Sequence, residues 1–372
     1  MKILYDHQAF SMQKYGGISR YFYEIIRAVN TKQGYDIYLP IRLSANHYLK
    51  KLPALVFQRC DYIMKGFNWI VYKINRSHTI KNTFKISSDF DVFHPTYYDP
   101  YFLPYCLNKP FVLTIYDMIH DIFPEYFRGL SMITTNKRTL AQRASQIIAI
   151  SENTKKDITE QYGIAGDKIT VSYPGVSFLP RENHINMTIP ESYVLFVGDR
   201  HKYKNFLKFI ESIARILLEK SWFLVCFGGG TFSKDEKSAM RSLKIYHKVK
   251  IFAGDDALLG YLYRHAGVFV CPSLYEGFGM PILEAMSCGC PVATSNASSL
   301  PEVGGDAVSY FDPYDKPSIE EAVRRIIDDK EYRLELTARG LKQARKFSWN
   351  KAAEETCGVY KKALESQGVS SV

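Results

Sequence analysis

The sequence predicts an α/β protein built from two doubly wound domains. Short apolar segments alternate along the chain with segments of helical periodicity, a pattern typical of βαβ units. Several apolar segments are nearly continuous runs of Val, Ile, Phe and Leu, as in parallel strands buried on both faces. The alternation occurs in two series, and 372 residues exceed what a single core usually holds. We therefore expect two Rossmann-like domains that face one another across a cleft, with ligands at the carboxyl ends of the strands.

Each series contains six predicted strands. Those of the first series are Ile3–Tyr5, Asp36–Leu39, Val92–His94, Phe111–Tyr116, Ile147–Ile150 and Thr170–Tyr173. Those of the second series are Tyr193–Val197, Phe223–Phe227, Val249–Phe252, Val268–Cys271, Val292–Thr294 and Val308–Phe311. The polar stretch 174–190 between them indicates a linker, so we place the domains at 1–180 and 181–348. The sequence leaves open whether the helical segment within 349–372 packs on the first domain.

Bulk properties favour a cytoplasmic protein. The seven cysteines are scattered and odd in number, which fits reduced thiols better than a disulfide framework. The first six residues place an acid directly after a short apolar run and predict a strand rather than a signal peptide. No segment approaches the roughly 18 apolar residues of a membrane-spanning helix. Any contact with a membrane would therefore be peripheral.

The net charge of +10 is concentrated in the first half of the chain. The segment 42–85 contains nine basic residues and a single acid, Asp61. Within it, apolar and basic side chains recur at helical spacing: Ile63, Met64, Phe67, Ile70, Val71 and Ile74, with Lys65, Lys73 and Arg76 between them. Such a helix either lies on an anionic membrane surface or packs on its own domain, and both interpretations stay open. We expect no nucleic-acid binding, because the basic residues form one cluster without a reader motif.

The most informative segment carries two carboxylates, Glu276 and Glu284, directly after the predicted strand Val268–Cys271. Pro281 suits the first position of a helix, which Gly289 would end. The N-terminus of a helix offers unpaired N–H groups to a phosphate, and two carboxylates beside it suit the vicinal hydroxyls of a sugar. Two acids eight residues apart are also common as capping or ion-paired residues. The surrounding Gly and Pro residues therefore carry this prediction.

A second candidate patch follows the predicted strand Tyr193–Val197. It contains Arg200 and Lys204, two cations at the carboxyl end of a predicted strand, where ligands of such sheets bind. The alternative interpretation is a solvated basic loop.

Two segments of the first domain also lie after predicted strands. Gly16 and Gly17 open a helix, where backbone N–H groups face a pyrophosphate or an acceptor. Asp117 and His120 follow the strand Phe111–Tyr116, at its carboxyl end. A simple turn would explain the glycines equally well, and a structural histidine is the alternative for His120.

The chain resembles glycosyltransferase family four, whose members have the GT-B fold of two Rossmann-like domains. The signature of that family is S-x-x-E-G-F-G-x-P-x-x-E-A-x-x-x-G-x-P-V, and this sequence reproduces it from Ser273 to Val292. The resemblance extends along nearly the whole chain. It implies that Glu276 binds hydroxyls of the donor sugar and that Glu284 binds the ribose of the nucleotide. The backbone implied to face the donor sugar and its phosphates belongs to Phe278, Gly279 and Met280.

The resemblance also assigns the basic patch. The family usually has Gly-Arg followed at a fixed distance by a Lys, and both cations neutralise the diphosphate. Lys204 keeps its distance from Gly198, but Asp199 occupies the usual place of the arginine. Arg200 is displaced by one residue.

In the first domain, the family has the same Gly-Gly pair as Gly16 and Gly17. It also has a histidine near the reacting sugar, which His120 matches, and the resemblance implies that this imidazole forms hydrogen bonds rather than acts as a base. Together with Asp117 in the same loop, His120 and Glu276 are the catalytic residues that we expect.

The expected reaction needs no metal ion. Asp89 and Asp91 fit the Asp-x-Asp pattern with which another class of glycosyltransferases binds Mn²⁺ or Mg²⁺. They precede the strand Val92–His94, however, at the end away from the expected site. Asp255 and Asp256 lie in a loop without further carboxylates.

The resemblance implies a metal-independent transferase that retains the anomeric configuration. The segments 15–21 and 93–98 resemble bacterial mannosyltransferases that build O-antigen or capsular chains on a lipid carrier. We therefore expect GDP-mannose as donor, with a UDP- or dTDP-sugar as the alternative, and a lipid-linked oligosaccharide as acceptor at the inner face of the cytoplasmic membrane. A sugar-nucleotide epimerase of the same fold and a non-catalytic assembly partner are the rival interpretations.

Overall fold

The computed structural model describes residues 1–51, 58–59, 68–84, 89–106, 109–127, 129, 131–176 and 187–368. The chain forms two units, Met1–Gly175 together with Trp349–Val372, and Val176–Ser348. This division lies five residues before the predicted boundary at 180/181. The C-terminal helix belongs to the first unit, which answers the question that the sequence left open. Most of the predicted linker 174–190 lies outside the described residues.

The first unit is built on parallel strands. They are β1 (Lys2–Tyr5), β2 (Asp36–Tyr38), β3 (Leu43–Ser44), β4 (Gln58–Arg59), β5 (Val92–His94), β6 (Val112–Ile115), β7 (Gln146–Ala149) and β8 (Ile169–Val171). The strands pair in the orders β2-β1-β5 and β6-β7-β8, and a parallel bridge between Phe93 and Phe111 joins the two groups. Strands β3 and β4 form a separate short pair that was not predicted. The six predicted strands of the first series are confirmed, with ends that differ by one or two residues.

The helices of the first unit connect these strands. They are α1 (Gln8–Met12), α2 (Gly17–Asn30), α3 (Asn68–His78), α4 (Ile119–Ile122), α5 (Ser131–Arg143) and α6 (Glu152–Tyr162). The predicted basic helix is described only from Asn68 onward, and its positions 63–67 lie outside the described residues. Within α3, Val71 and Asn75 are buried whereas Trp69 is 58% exposed, so one side of the helix packs on the unit.

The second unit contains the strands β9 (Tyr193–Val197), β10 (Phe223–Phe227), β11 (Val249–Phe252), β12 (Val268–Cys271), β13 (Val292–Ser295) and β14 (Ser309–Phe311). All are parallel, in the order β11-β10-β9-β12-β13-β14. The chain therefore reverses its direction of winding between β9 and β12, and ligands of such sheets bind outside the carboxyl ends of the strands at that point. The predicted ranges of β9 to β12 are confirmed residue for residue.

The helices of the second unit are α7 (Phe206–Glu219), α8 (Lys234–Ser242), α9 (Asp256–His265), α10 (Met280–Ser287), α11 (Leu300–Gly304), α12 (Lys316–Asp328) and α13 (Lys330–Ala344). Helices α7 and α12 pack on one another. Phe209, Ile213, Leu224 and Ile326 belong to their common core and are inaccessible to solvent. Burial of these aliphatic and aromatic side chains is the main stabilising term of the unit.

The last helix, α14 (Trp349–Gly368), packs on α2 and on strands of the first unit. The Tyr360 hydroxyl lies 2.5 Å from the Tyr5 hydroxyl and 2.8 Å from His94 Nδ1, and all three side chains are fully buried. Because each buried polar group here has a partner, the contact holds α14 in one register. None of the helices in the described part of the chain is long and apolar enough to cross a bilayer.

Candidate functional site

The loop between β12 and α10 is shaped by a glycine. Gly279 precedes α10 with φ +112°, a conformation that side chains rarely adopt, and a Cβ there would lie 2.9 Å from Leu300 Cδ2. Pro281 is the second residue of the helix, one position later than predicted. Gly289 follows the helix with φ +75°, as predicted for its C-terminal end.

Glu276 of this loop is bound on one oxygen by two side chains. Lys204 Nζ donates to Glu276 Oε1 at 2.6 Å, and Ser273 Oγ donates to the same oxygen at 2.6 Å. Glu276 is 13% exposed and Lys204 18% exposed, so the pair is largely but not completely buried. The structure therefore brings together two predicted site residues that are 72 positions apart in sequence.

This contact changes the pKa of the Lys204 ammonium. Burial acts to lower the pKa of Lys204, but the Glu276 carboxylate outweighs it, and the pKa lies above its ordinary value. The lysine is thus charged at neutral pH. The carbonyl of Tyr203 accepts a bond of 2.8 Å from the N–H of Leu274, which joins the loop after β9 to the loop after β12.

Two serines that the sequence did not single out hold the Glu276 loop. Ser298 Oγ accepts from the N–H of Glu276 at 2.9 Å. Ser299 Oγ lies within donor distance of two carbonyls, those of Glu276 at 2.8 Å and Phe278 at 2.9 Å. Ser298 has φ +51°, an uncommon conformation for a residue other than glycine. The sequence signal for these contacts was the pair of serines directly before α11 (Leu300–Gly304).

Glu284 and the backbone positions lie in the same loop and helix. Glu284 is 6% exposed, and the Tyr263 hydroxyl donates to its Oε2 at 3.3 Å. Burial, with the Glu284 charge added, raises the pKa of Tyr263 well above its ordinary value, so the phenol stays protonated and donates. Phe278 is buried edge-on against Phe347, and Met280 is the first residue of α10.

Arg200 is engaged by the protein itself. Its side chain is 4% exposed, and Nε donates to Glu236 Oε1 at 2.8 Å. Its terminal nitrogens bond to carbonyls of the loop after β10. The sequence suggested that this cation is available to a diphosphate. In the structure, its guanidinium instead donates to a carboxylate and to carbonyls of the protein.

In the first unit, the predicted glycines lie where α2 begins. Gly17 is the first residue of the helix and Gly16 precedes it in an extended conformation. A Cβ on Gly16 would lie 2.4 Å from Gln13 Oε1, which itself accepts from the N–H of Ser19 at 3.0 Å. Gln13, which the sequence analysis did not select, thus satisfies one of the free N–H groups of α2.

Asp117 and His120 lie after β6, also as predicted. Asp117 Oδ1 accepts from the N–H of Ile119 at 3.1 Å at the start of α4. Burial lowers the pKa of the His120 imidazole, although the carboxylates of Asp117 and Asp121 act in the opposite direction. The imidazole is therefore neutral at pH 7 and can both donate and accept a hydrogen bond.

A cavity of about 470 Å³ adjoins His120 within the first unit. The residues that line it include Thr134, Thr135, Arg138 and Phe127. A wall of hydroxyl, cationic and aromatic groups can bind a polar molecule the size of a monosaccharide.

Asp89, Asp91 and Asp255, which were considered as metal ligands, have other partners. Asp89 forms an ion pair with Lys2 Nζ at 2.6 Å, and Asp91 accepts from the N–H of Lys2 at 2.8 Å. Asp255 caps α9 by accepting from the N–H groups of Ala257 and Leu258. In the part of the chain that the structure describes, three or more potential metal ligands do not cluster anywhere.

The chain matches two family models that together span most of its length. The model of glycosyl transferases group 1 matches residues 182–343, and that of glycosyltransferase family 4 matches residues 15–178. The O-antigen chain mannosyltransferase B of Escherichia coli is 30% identical over 282 residues, which cover 71% of this chain and 74% of that protein.

Solved structures show the same fold at low sequence identity. The sucrose-phosphate synthase of Thermosynechococcus elongatus has a TM-score of 0.75 at 16% identity, covering 98% of this chain and all of its own. HepE of Anabaena, in complex with UDP and glucose, has a TM-score of 0.70 at 16% identity and full coverage of both chains.

The two-unit fold is that of GT-B glycosyltransferases, and both family models that match the chain are models of glycosyltransferases. The chain belongs to glycosyltransferase family four, and its relatives include O-antigen mannosyltransferases.

Proposed function

We propose that this glycosyltransferase moves mannose from GDP-mannose to a lipid-linked glycan with retention of the anomeric configuration and without a metal ion. The Lys204–Glu276 pair carries the proposal. A charged ammonium at the carboxyl end of β9 can stabilise the negative charge that develops on the departing diphosphate. The carboxylate beside it can accept hydrogen bonds from sugar hydroxyls.

Donor binding would rearrange this pair. Among the described residues the second carboxylate oxygen of Glu276 has no hydrogen-bond partner and is available to sugar hydroxyls, and the diphosphate would compete with Glu276 for the Lys204 ammonium. Glu284, held by Tyr263, would bind the ribose. The departing phosphate would accept the proton of the acceptor hydroxyl on the same face, so the protein mainly positions the substrates and stabilises charge.

The choice of donor rests on the relative from E. coli, which is named as a mannosyltransferase. A UDP-sugar is the second candidate, because HepE was solved with UDP and glucose. For the acceptor, the cavity beside His120 supplies hydroxyl, guanidinium and aromatic groups suited to a sugar. The neutral His120 would hydrogen-bond near the reacting carbon, with Asp117 in the same loop.

A peripheral contact with the inner face of the cytoplasmic membrane completes the proposal. On α3, the exposed indole of Trp69 lies under the Lys73 ammonium, 4.7 Å from the ring centroid, and Arg76 is exposed on the same helix. Indole and cationic side chains together favour the interface of an anionic bilayer. The described part of the segment 42–85 thus supports the membrane interpretation without excluding a purely structural helix.

Product analysis with labelled GDP-mannose, UDP-glucose and dTDP-sugars tests the function, each with and without a lipid-linked acceptor. We expect transfer of label from GDP-mannose only when acceptor is present, unchanged activity in EDTA, and an α-linked product by NMR. Conversion of the donor sugar without acceptor would identify an epimerase instead. Activity that is lost in EDTA and restored by Mn²⁺ would contradict the metal-free mechanism.

Glu276→Ala is the corresponding variant. We expect a loss of transfer of about a hundredfold or more, the usual cost of removing a group that stabilises the transition state, in a protein that remains folded. Glu321→Gln is the control, because Glu321 is exposed on α12 of the same unit. Full activity of well-folded Glu276→Ala would contradict the role of this carboxylate in binding the donor sugar.

A further inference from the structure

The loop that follows β10 has an unusual backbone. Gly228, Gly229 and Gly230 have φ values of +83°, +69° and +65°, three successive residues in the left-handed region. Only glycine adopts this conformation without strain, so the loop is fixed by its sequence. In such a turn all carbonyls point to one side.

One guanidinium occupies that side. Arg200 donates from Nη1 to the Gly228 carbonyl at 3.2 Å, and from Nη2 to the carbonyls of Gly229 at 3.0 Å, Gly230 at 2.9 Å and Thr231 at 3.2 Å. Its Nε is bound by Glu236. The planar guanidinium also lies 4.6 Å from the ring centroid of Phe232. Arg200 thus binds four successive carbonyls of the loop.

The opposite side of the loop consists of amides. In a planar trans peptide the N–H points opposite to the C=O of the preceding residue, so the N–H groups of Gly229, Gly230 and Thr231 point away from Arg200. None of these three amides has an acceptor among the described residues. Gly229, Gly230 and Thr231 are exposed. Successive N–H groups that point the same way form a concave anion site.

This loop lies against the predicted phosphate patch. The N–H of Gly198 donates to the Phe227 carbonyl at 2.9 Å, and a Cβ on Gly229 would lie 2.8 Å from the Gly198 carbonyl oxygen. Gly198 begins the loop that continues to Lys204. The amides therefore belong to the carboxyl ends of the neighbouring strands β9 and β10, where the donor is expected.

We propose that Arg200 is a positioning residue of the donor site and that the amides of Gly229, Gly230 and Thr231, not the guanidinium, bind the diphosphate of the donor. The proposal rests on the proposed function and changes the role that the family resemblance gave to this arginine. A guanidinium on the carbonyl side polarises each peptide and strengthens its N–H as a donor. Lysine cannot replace it, because a single ammonium does not match four carbonyls and a carboxylate.

The test compares the affinities of GDP and GMP, and of UDP and UMP, for the wild type, Arg200→Lys and Arg200→Ala by calorimetry. We expect both variants to lose about tenfold in affinity for the diphosphates, the scale of one or two lost hydrogen bonds, with little change for the monophosphates. Recovery of diphosphate affinity in Arg200→Lys would show that the cation itself contacts phosphate and would overturn the proposal. Equal affinities in all three proteins would overturn it too.

Gly230→Ala tests the loop without touching Arg200. A Cβ on Gly230 meets no atom within 4 Å, so the substitution acts through the strain of φ +65° alone. Gly34→Ala is the matched control, with φ +86° and an equally open site in the first unit. We expect Gly230→Ala to weaken GDP or UDP about tenfold and Gly34→Ala to leave it unchanged. Unchanged diphosphate binding by Gly230→Ala contradicts the proposal, whereas a wild type that binds no nucleoside diphosphate contradicts the proposed function instead.

Discussion

Each unit contains a lysine–carboxylate pair of nearly the same length, but the two pairs differ in burial. In the second unit, Lys204 and Glu276 are 2.6 Å apart with 18% and 13% of their side chains exposed. In the first unit, Lys137 and Asp121 are 2.7 Å apart with 0% and 5% exposed. An incompletely buried pair can be opened by an incoming ligand, whereas an enclosed pair can only be broken at the cost of stranding a charge. The difference is the one expected if Lys204 and Glu276 belong to the proposed donor site and Lys137 and Asp121 form a structural contact.

The surroundings of the pairs support this distinction. Lys137 Nζ also donates to the Asp117 carbonyl at 3.0 Å, and the Tyr162 hydroxyl donates to Asp121 Oδ1 at 2.7 Å. The buried pair therefore holds the chain on both sides of His120. In the second unit, the other contacts of Glu276 come from short side chains: Ser273 donates to the same carboxylate oxygen as Lys204, and Ser298 and Ser299 bind the Glu276 backbone. Among the described residues, the other carboxylate oxygen has no hydrogen-bond partner.

The largest expected effect comes from breaking the enclosed pair. Lys137→Met leaves Asp121 buried without its counter-ion, and we expect the free energy of unfolding of the first unit to fall by about 3–5 kcal/mol. Urea denaturation followed by hydrogen exchange resolves the two units. The double variant Lys137→Met with Asp121→Asn should recover most of the loss, because neither charge is then stranded. A single variant as stable as the wild type would show that the pair is not enclosed in solution.

A second prediction concerns acid. Burial lowers the pKa of His94 and of His7 in the first unit to about 3, whereas the histidines in the described part of the second unit, His201, His247 and His265, are exposed. A histidine whose pKa is lowered by folding binds fewer protons than in the unfolded chain, so stability falls as the pH drops below about 6.5. At pH 5 this amounts to about 2 kcal/mol for each buried histidine.

Hydrogen exchange at pH 7 and pH 5, corrected for intrinsic rates, measures this difference. We expect protection to decrease in the first unit and to stay constant in the second. Burial raises the pKa of Asp6 in the first unit, and this opposes part of the loss, because a carboxyl with a raised pKa stabilises the fold at low pH. Equal loss of protection in both units would contradict the assignment of the acid sensitivity to His7 and His94.

The two pairs also show what a sequence can predict. Glu276, Glu284 and the loop between them lie within one short segment, and the regular strand pattern placed that segment at the end of β12. The fold was predictable for the same reason, since buried parallel strands have a recognisable composition. The sequence analysis also selected Lys204, the partner of Glu276, from a different segment. Only the family resemblance indicated that the two residues serve the same donor.

Contacts between distant segments were not predictable in this way. Nothing in the sequence indicates that Lys137 is fully buried against Asp121, because its neighbours on α5 are polar and its partner lies on α4. The use of Arg200 was missed for a related reason. A guanidinium is equally suited to phosphate and to carbonyl oxygens, and only the fold determines which it meets. The serine partners of Glu276 are short side chains whose hydrogen bonds depend on backbone geometry.

The smallest expected effect concerns one of those serines and tests the less buried of the two pairs. Ser273 is 2% exposed and donates to Glu276 Oε1, so Ser273→Ala leaves Lys204 as the remaining partner of that oxygen among the described residues. We expect kcat to fall roughly tenfold, about 1.4 kcal/mol, because the carboxylate loses one of two groups that orient it. Ser212→Ala is the matched control, since Ser212 is also buried in this unit but bonds to a helix carbonyl. If Ser273→Ala retained the wild-type kcat, Lys204 alone would suffice to orient Glu276. The partial exposure of the pair would then matter more for activity than the hydrogen bond from Ser273.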